Sequence, residues 1–302
     1  MKTLLLSSLC ALTAIASGCD GAPYATLQSQ LEEFVADKDA SIGIAVIIDG
    51  CDTIAVNGSE KFPMLSVYKF PQALAVADFC RAEGLEPDDS IDIAPAELLP
   101  DTWSPLRDKY AAAAELRLPL GELLDYSVTL SDNNACDILF RLIGGPAVAD
   151  SLMKALGFAD IDIRSTEDEM HRDTGLCFKN TSTPKAMAAL FDRFYRLEMD
   201  HEGPVNERLG AVMKNCATGL GRLPAPLTDA GVTIGHKTGT GDLDSDGRII
   251  AVNDAGYVFL PDGHSYAIAV FITGSAYTMA ETESLIAAIS EMVYSALAGS
   301  PL

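Results

Sequence analysis

Serines with a lysine three residues behind them are the first feature of this sequence that could do chemistry. In "MLSVYKFPQALAVADF", Ser66 precedes Lys69 at the mouth of an apolar run, and a helical turn there would set hydroxyl and amine on one face. Such a pair suits acyl transfer, in which the amine takes a proton and the hydroxyl attacks a carbonyl. The positive end of a helix dipole would favour the oxyanion that develops. Two further matches, Ser151–Lys154 within an amphipathic helix pattern and Ser182–Lys185 beside Pro184, are explained as ordinary helix residues and a helix start. By itself the Ser66 match does not separate a nucleophile from a cap.

Two other motifs follow in order. "YSVTLSDNNACDILF" carries Ser131-Asp132-Asn133 just before an apolar helix, and "IGHKTGTG" carries Lys237-Thr238-Gly239 on a predicted strand. Ser-x-x-Lys at a helix start, Ser-Asp-Asn at a helix junction and Lys-Thr-Gly on a strand form the set found in class A β-lactamases and penicillin-binding proteins. The chain resembles class A serine β-lactamases throughout its mature length. In that reading Ser66 attacks a strained lactam carbonyl and Lys69 serves as base, given a desolvated amine, or as proton relay. Ser131 bridges to the leaving lactam nitrogen, and Asn133 meets the substrate's side-chain amide. Lys237 and Thr238 receive the substrate carboxylate, and Gly239 permits close backbone approach. The resemblance implies an oxyanion hole made by the backbone N–H groups of Ser66 and Thr240, the Thr240 side chain being secondary. Asp132 reads as a cap or a buried hydrogen-bond hub rather than a catalyst.

Turnover needs a carboxylate that holds a water for deacylation. "RSTEDEMHRD" offers Glu167, Asp168 and Glu169, and alignment with the family's loop makes Glu167 the match. His171 then stands where the family usually has Asn. The Met170-His171 pair resembles the subclass A2 extended-spectrum branch, which favours cephalosporins. Trp103, the sole Trp, falls where the family has an aromatic residue at the pocket rim. For the arginine that supports the substrate carboxylate, Arg222 in "GLGRLPAP" is favoured over Arg248 in "DSDGR". Arg164 and Asn180 depart from the family's loop-clamping ion pair, which leaves the rigidity of the Glu167 loop open.

The elements that must position these residues follow from periodicity and turn chemistry. A short amphipathic helix near "LQSQLEEFVAD" precedes two β-rich runs that flank Asp49-Gly50, a hairpin signal. From Ser66 to about Met213 the pattern is nearly all helical, after which strands return and "AETESLIAAISEMVYSAL" closes the chain as a helix. The fold class expected is α/β of the α+β type. It has an antiparallel sheet flanked by N- and C-terminal helices and an inserted all-α domain, as in the β-lactamase and penicillin-binding transpeptidase fold. The domains are read as 19–62 with 215–302 (α/β) and 63–214 (all-α), the site lying in the cleft between them.

Residues 1–18 have the layout of a secretory signal. "ASGC" also resembles a lipoprotein cleavage box, which would make Cys19 a lipid anchor on a membrane surface. The protein is thus expected to be exported, periplasmic or membrane-anchored, without a transmembrane span. A net charge of -22 argues against nucleic acid as a partner, while 48% hydrophobic residues are ample for a core. A small β-lactam is the expected partner of a monomer. Cys51, Cys80, Cys136, Cys177 and Cys216 make no disulfide framework or zinc motif, so they read as buried thiols, with Cys80–Cys136 the one bridge considered. No cofactor or metal is expected, because the four His form no His-x-His-x-Asp cluster. The rivals are a D-alanyl-D-alanine peptidase or penicillin-binding protein, which does not need the Glu, and a non-hydrolysing β-lactam sensor.

Overall fold

In the computed structural model the described residues are 24–298 except 114, 198 and 229, so the signal and the Cys19 anchor lie outside them. Strands from both ends of the chain pair into one antiparallel sheet. Its order is β2 (Asp52–Val56), β1 (Ser41–Ile48), β9 (Ser265–Ser275), β8 (Ile249–Phe259) and β7 (Thr233–Thr240). The turn after β1 holds Asp49 and Gly50 at φ 49° and 67°, the left-handed geometry that this dipeptide tolerates.

Residue size differs between the two faces of the sheet. Side chains alternate along a strand, so Tyr266, Ile268, Val270 and Ile272 of β9 join Ile42, Ile44 and Val46 of β1 on one face. Helices α1 (Ala25–Ala36) and α10 (Met279–Ala298) cover it. The opposite face presents Ala45, Ala255, Ala267 and Ala269, and these small residues let α8 (Pro184–Arg196) come close. Gly43 is part of that approach, since a Cβ there would lie 2.8 Å from Pro184 Cγ.

Within the helical stretch, α2 (Lys69–Glu83) is buried on nearly every side, as expected of a helix apolar all round. Gly84, at φ 71°, stops it. Around it lie α4 (Leu120–Thr129), α5 (Asn133–Ile143), α6 (Pro146–Ala155) and α9 (Pro204–Lys214). The shorter α7 (Glu167–Arg172) flanks the cleft, and α3 (Pro105–Tyr110) packs against α5. The segment expected as nearly all helical also contains short strands, one paired with a strand just before it and one pair wholly within it. These are β3 (Phe62–Pro63) with β6 (Thr181–Ser182), and β4 (Ser90–Ile93) with β5 (Leu116–Pro119). Strands of two to four residues are too short for an alternation to register in the sequence. Among the described residues no helix is long and apolar enough to cross a membrane.

The Cys80–Cys136 bridge does not form: Cys80, Cys136, Cys177 and Cys216 are free and buried, whereas Cys51, expected as a buried thiol, is exposed and disulfide-bonded. Cys136 Sγ instead meets Gln72 Oε1 at 3.2 Å and the Tyr68 hydroxyl at 3.4 Å, both beside the start of α2. Cys80 lies eight residues beyond Gln72, about 12 Å along a helix axis and outside disulfide reach.

Candidate active site

Ser66 sits on a 3-10 turn, Leu65–Tyr68, that runs directly into α2 at Lys69. Residues i and i+3 eclipse in such a turn, so the sequence spacing stacks hydroxyl over amine although the α-helix begins only at Lys69. Leu65 holds the left-handed region at φ 47°, a strain of order 1–3 kcal/mol that persists only where neighbours impose it. They do so here. The Asn253 amide on β8 donates to Pro63 O at 2.8 Å and Met64 O at 3.1 Å, and Met64 N donates to Asn180 O at 2.8 Å. Gly239 allows β7 to close on the turn, for a Cβ there would lie 2.4 Å from Met64 O and 3.3 Å from Ser66 N.

Lys69 is fully buried among acceptors: Asn133 Oδ1 at 2.7 Å, the Ser131 carbonyl at 2.8 Å and Glu167 Oε1 at 3.0 Å. The same Glu167 oxygen accepts from Ser66 Oγ at 3.3 Å. Ser131 links the two buried lysines, because its hydroxyl accepts from Lys237 Nζ at 2.9 Å while its carbonyl takes Lys69. Its φ of 57° is the second strained position of the site. Asp132 caps α5 through Ala135 N at 2.9 Å and also accepts from Leu106 N and Ser104 Oγ, the cap and hub read from the sequence. The Asn133 amide nitrogen donates to Thr102 Oγ1 at 2.8 Å.

Glu167 opens α7, whose N-terminus depends on side chains from elsewhere. Thr166 and Glu169 form a capping box. Asp137 of α5 accepts from Glu167 N and Asp168 N, both at 2.8 Å. Burial pushes the Asp137 carboxyl up to about 7, against the pull of those two backbone bonds. Asn180 Oδ1 accepts from Arg164 N and Ser165 N, while Arg164 pairs with Asp150 and Asp162. The loop is therefore clamped by an amide on backbone and by a separate ion-pair cluster, rather than by an Arg164–Asn180 side-chain pair.

Across the cleft, β7 supplies Lys237, Thr238 and Thr240 from an edge position. Burial lowers the Lys237 amine to about 8; the nearby Lys69 adds to this, while Cys216, Glu167 and Asp254 oppose it. Arg222, 3% exposed, lies behind the strand. It donates to Gly239 O at 3.1 Å, Asn253 O at 2.9 Å and Thr240 Oγ1 at 2.7 Å, and pairs with Glu283. Arg248 points away, to Asp39 and Gly274 O. The cleft of about 450 Å³ is lined by Ser66, Ser131, Asn133, Glu167, Thr238 and Thr240, with Trp103 and His171 also on its wall. Trp103 is 62% exposed and anchored by its indole N–H on Leu130 O, so it is a rim residue rather than a core one. Lys69, Lys237, Gly239 and Arg222 stand behind the lining and act on it through the contacts given above.

Comparison with known proteins decides the family. Residues 26–297 match the model of a family described as "Beta-lactamase enzyme family". A "Beta-lactamase" of Bacteroides uniformis is 36% identical over 98% of this chain and 100% of its own length. The "Extended-spectrum beta-lactamase PER-1" of Pseudomonas aeruginosa is 31% identical over 97% of this chain and 94% of its own. The crystal structure of a representative class A β-lactamase from Bacteroides cellulosilyticus superimposes with a TM-score of 0.86 at 37% identity, covering 92% of this chain and 99% of that one. The chain belongs to the class A β-lactamases.

Sequence reading of this class A β-lactamase overlooked three residues that the fold brings to the site. Asp137 supports Glu167 from α5, Asn253 supports the turn before Ser66, and His236 is buried next to Lys237. The available signal was a polar residue inside an apolar run: "CDILF" for Asp137 and "AVNDAGYVF" for Asn253.

Proposed function

We propose that this serine β-lactamase hydrolyses penicillins and especially cephalosporins through an acyl-enzyme at Ser66. The observation that carries the reading is the single Glu167 oxygen shared by the Ser66 hydroxyl at 3.3 Å and the Lys69 ammonium at 3.0 Å. Ser66 gives its proton to Glu167 and attacks the lactam carbonyl, whose oxygen turns toward the N–H groups of Ser66 and Thr240. As the C–N bond breaks, the Ser131 hydroxyl protonates the nitrogen, and Lys237 on its oxygen stabilises the charge left there. Lys69, 3.0 Å from Glu167, relays the proton that Glu167 took from Ser66 on to Ser131, which restores both groups. In the second half Glu167 takes a proton from water, the hydroxide attacks the ester, and Ser66 leaves with that proton. Thr238 and Lys237 receive the substrate carboxylate, supported from behind by Arg222. Asn133 takes the side-chain amide, and Trp103 and His171 border the acyl side chain. The relation to an extended-spectrum enzyme supports the preference for cephalosporins.

The same reading keeps the α/β domain (19–62 with 215–302) distinct from the all-α domain (63–214), with the reaction in the cleft between them. The signal layout of residues 1–18 and the "ASGC" box support export, as a free periplasmic enzyme or one anchored through Cys19, and a monomer is the default for a small secreted hydrolase. Intact-mass time courses with one equivalent of a cephalosporin test the function. An adduct on Ser66 that appears and then vanishes while hydrolysed drug accumulates is expected; a persistent adduct would favour a peptidase or sensor instead.

A further inference from the structure

A chain of buried polar groups runs behind the substrate wall of β7. Asp254 Oδ1 lies 2.8 Å from Nδ1 of His236, and the His236 imidazolium pulls on the buried Cys216 thiol. Cys216 Sγ lies 3.4 Å from Thr218 Oγ1, nearer than the Thr218 carbonyl at 3.8 Å, and Thr218 Oγ1 in turn lies 2.5 Å from Thr238 Oγ1 in the cleft. His236 and Asp254 are 2% and 0% exposed, and Cys216 is 7% exposed. None of the reaction steps uses Asp254, His236, Cys216 or Thr218. Each hydroxyl has one proton to donate, so the direction of donation at one end of the chain sets it at the other.

We propose that Cys216 is a positioning residue for the substrate carboxylate: held by His236 and Asp254, it dictates through Thr218 which way the Thr238 hydroxyl donates. As a thiol, Cys216 donates to Thr218 Oγ1, Thr218 donates to Thr238 Oγ1, and the Thr238 proton is left for the substrate. As a thiolate, Cys216 only accepts. Thr218 then donates back to sulfur, Thr238 donates to Thr218, and the substrate carboxylate meets a hydroxyl lone pair. The inference rests on the reading that Thr238 binds that carboxylate.

Electrostatics bring the change into a working range. Burial alone would raise the Cys216 thiol, but the His236 imidazolium, the hydrogen bond to it, Lys237 and Thr218 bring it down to about 7. His236 is itself held up at about 10, because Asp254 and Cys216 outweigh the effect of burial. The charged groups facing the cluster are His236 and Lys237 from β7 and Asp254 from β8. Lys69 and Glu167 reach it from the helical side through Lys237. The other free thiols, Cys80, Cys136 and Cys177, are all raised, so a thiolate forming near neutrality belongs to Cys216.

The test is the pH profile of KM for a carboxylate-bearing cephalosporin, with thiolate absorbance followed in the same samples. The donating arrangement exists below the Cys216 midpoint, so KM should rise by about tenfold as pH climbs through it, the worth of one hydrogen bond to a charged group. Absorbance should rise over the same interval. In Cys216→Ser, whose hydroxyl does not titrate, both changes should vanish, and KM should stay low until Lys237 loses its proton near 8. Thr218→Val, which breaks the chain without touching sulfur, should keep the thiolate signal and lose the KM rise. A KM rise near neutrality that persists unaltered in both variants would overturn the inference. Thr238→Val tests the underlying reading separately: an unchanged KM there would remove Thr238 from carboxylate binding, whereas a raised KM with a persistent pH limb in Cys216→Ser would sink the relay alone.

Discussion

The two walls of the cleft are built differently. The β7 wall is continuous strand, paired residue by residue with β8 from Thr233 to Thr240 and backed by the buried Arg222. The helical wall carries the reacting groups on pieces with little order of their own: a 3-10 turn after a strained Leu65, a strained Ser131 and the six-residue α7. Each piece is held by one or two side chains: Asn253 of β8 on the turn before Ser66, Asp137 of α5 on α7, and beside Ser131 its neighbour Asp132, tied to Ser104 and Leu106. A ladder spreads its constraint over many bonds, so single changes there should loosen binding modestly. A lone clamp concentrates it, so single changes on the helical side should affect the chemistry strongly.

Substitutions rank accordingly. Ser66→Ala should abolish covalent capture and lower kcat by roughly six powers of ten, as loss of the nucleophile does in other serine hydrolases; an adduct retained on intact mass would break the comparison at its centre. Glu167→Gln should leave an acyl-enzyme that accumulates, with deacylation slowed about 10²–10⁴-fold, and normal single-turnover release would remove Glu167 from the second half-reaction. Asp137→Ala touches no substrate, yet it strips two backbone N–H groups of their acceptor. It should lower kcat by about 10²-fold, the effect of a small misplacement of a reacting group, with little change in KM.

Asp137 also sharpens the contrast through pH. Above about 7 its carboxylate uses both oxygens on α7, and below that value a proton occupies one of them. The kcat should therefore fall as pH drops through about 7, and Asp137→Asn should abolish this acid limb while running at a reduced plateau. A limb that survives in Asp137→Asn would assign it to another group. On the strand wall, Arg222→Ala should raise KM for carboxylate-bearing lactams by about tenfold, with kcat nearly kept. Arg248→Ala should leave both parameters unchanged, since that side chain is tied to Asp39 before β1 and to Gly274 O of β9, away from the cleft lining. Equal losses from the two arginines would contradict the placement of Arg222 behind Thr240.

Local patterns reported much of this in advance. The hairpin at Asp49-Gly50, the long helices and the three motifs were legible because turn chemistry, periodicity and short-range spacing are properties of neighbouring residues. The small β3–β6 and β4–β5 pairs were not, since a strand of two to four residues has no period to read. Nor was the separation of Cys80 from Cys136, which depends on where along α2 the neighbouring helix crosses.

The sequence by itself determined which residues could react and in what order they lie along the chain, because motif spacing on a helical turn or a strand is local geometry. Only the tertiary structure decided that one Glu167 oxygen serves both Ser66 and Lys69, that Ser131 joins two buried lysines and that Arg222 rather than Arg248 backs β7. Those contacts join residues from 17 to 106 positions apart. They are set by the small-residue face of the sheet, which admits α8, and by buried polar clamps that must find partners once water is excluded.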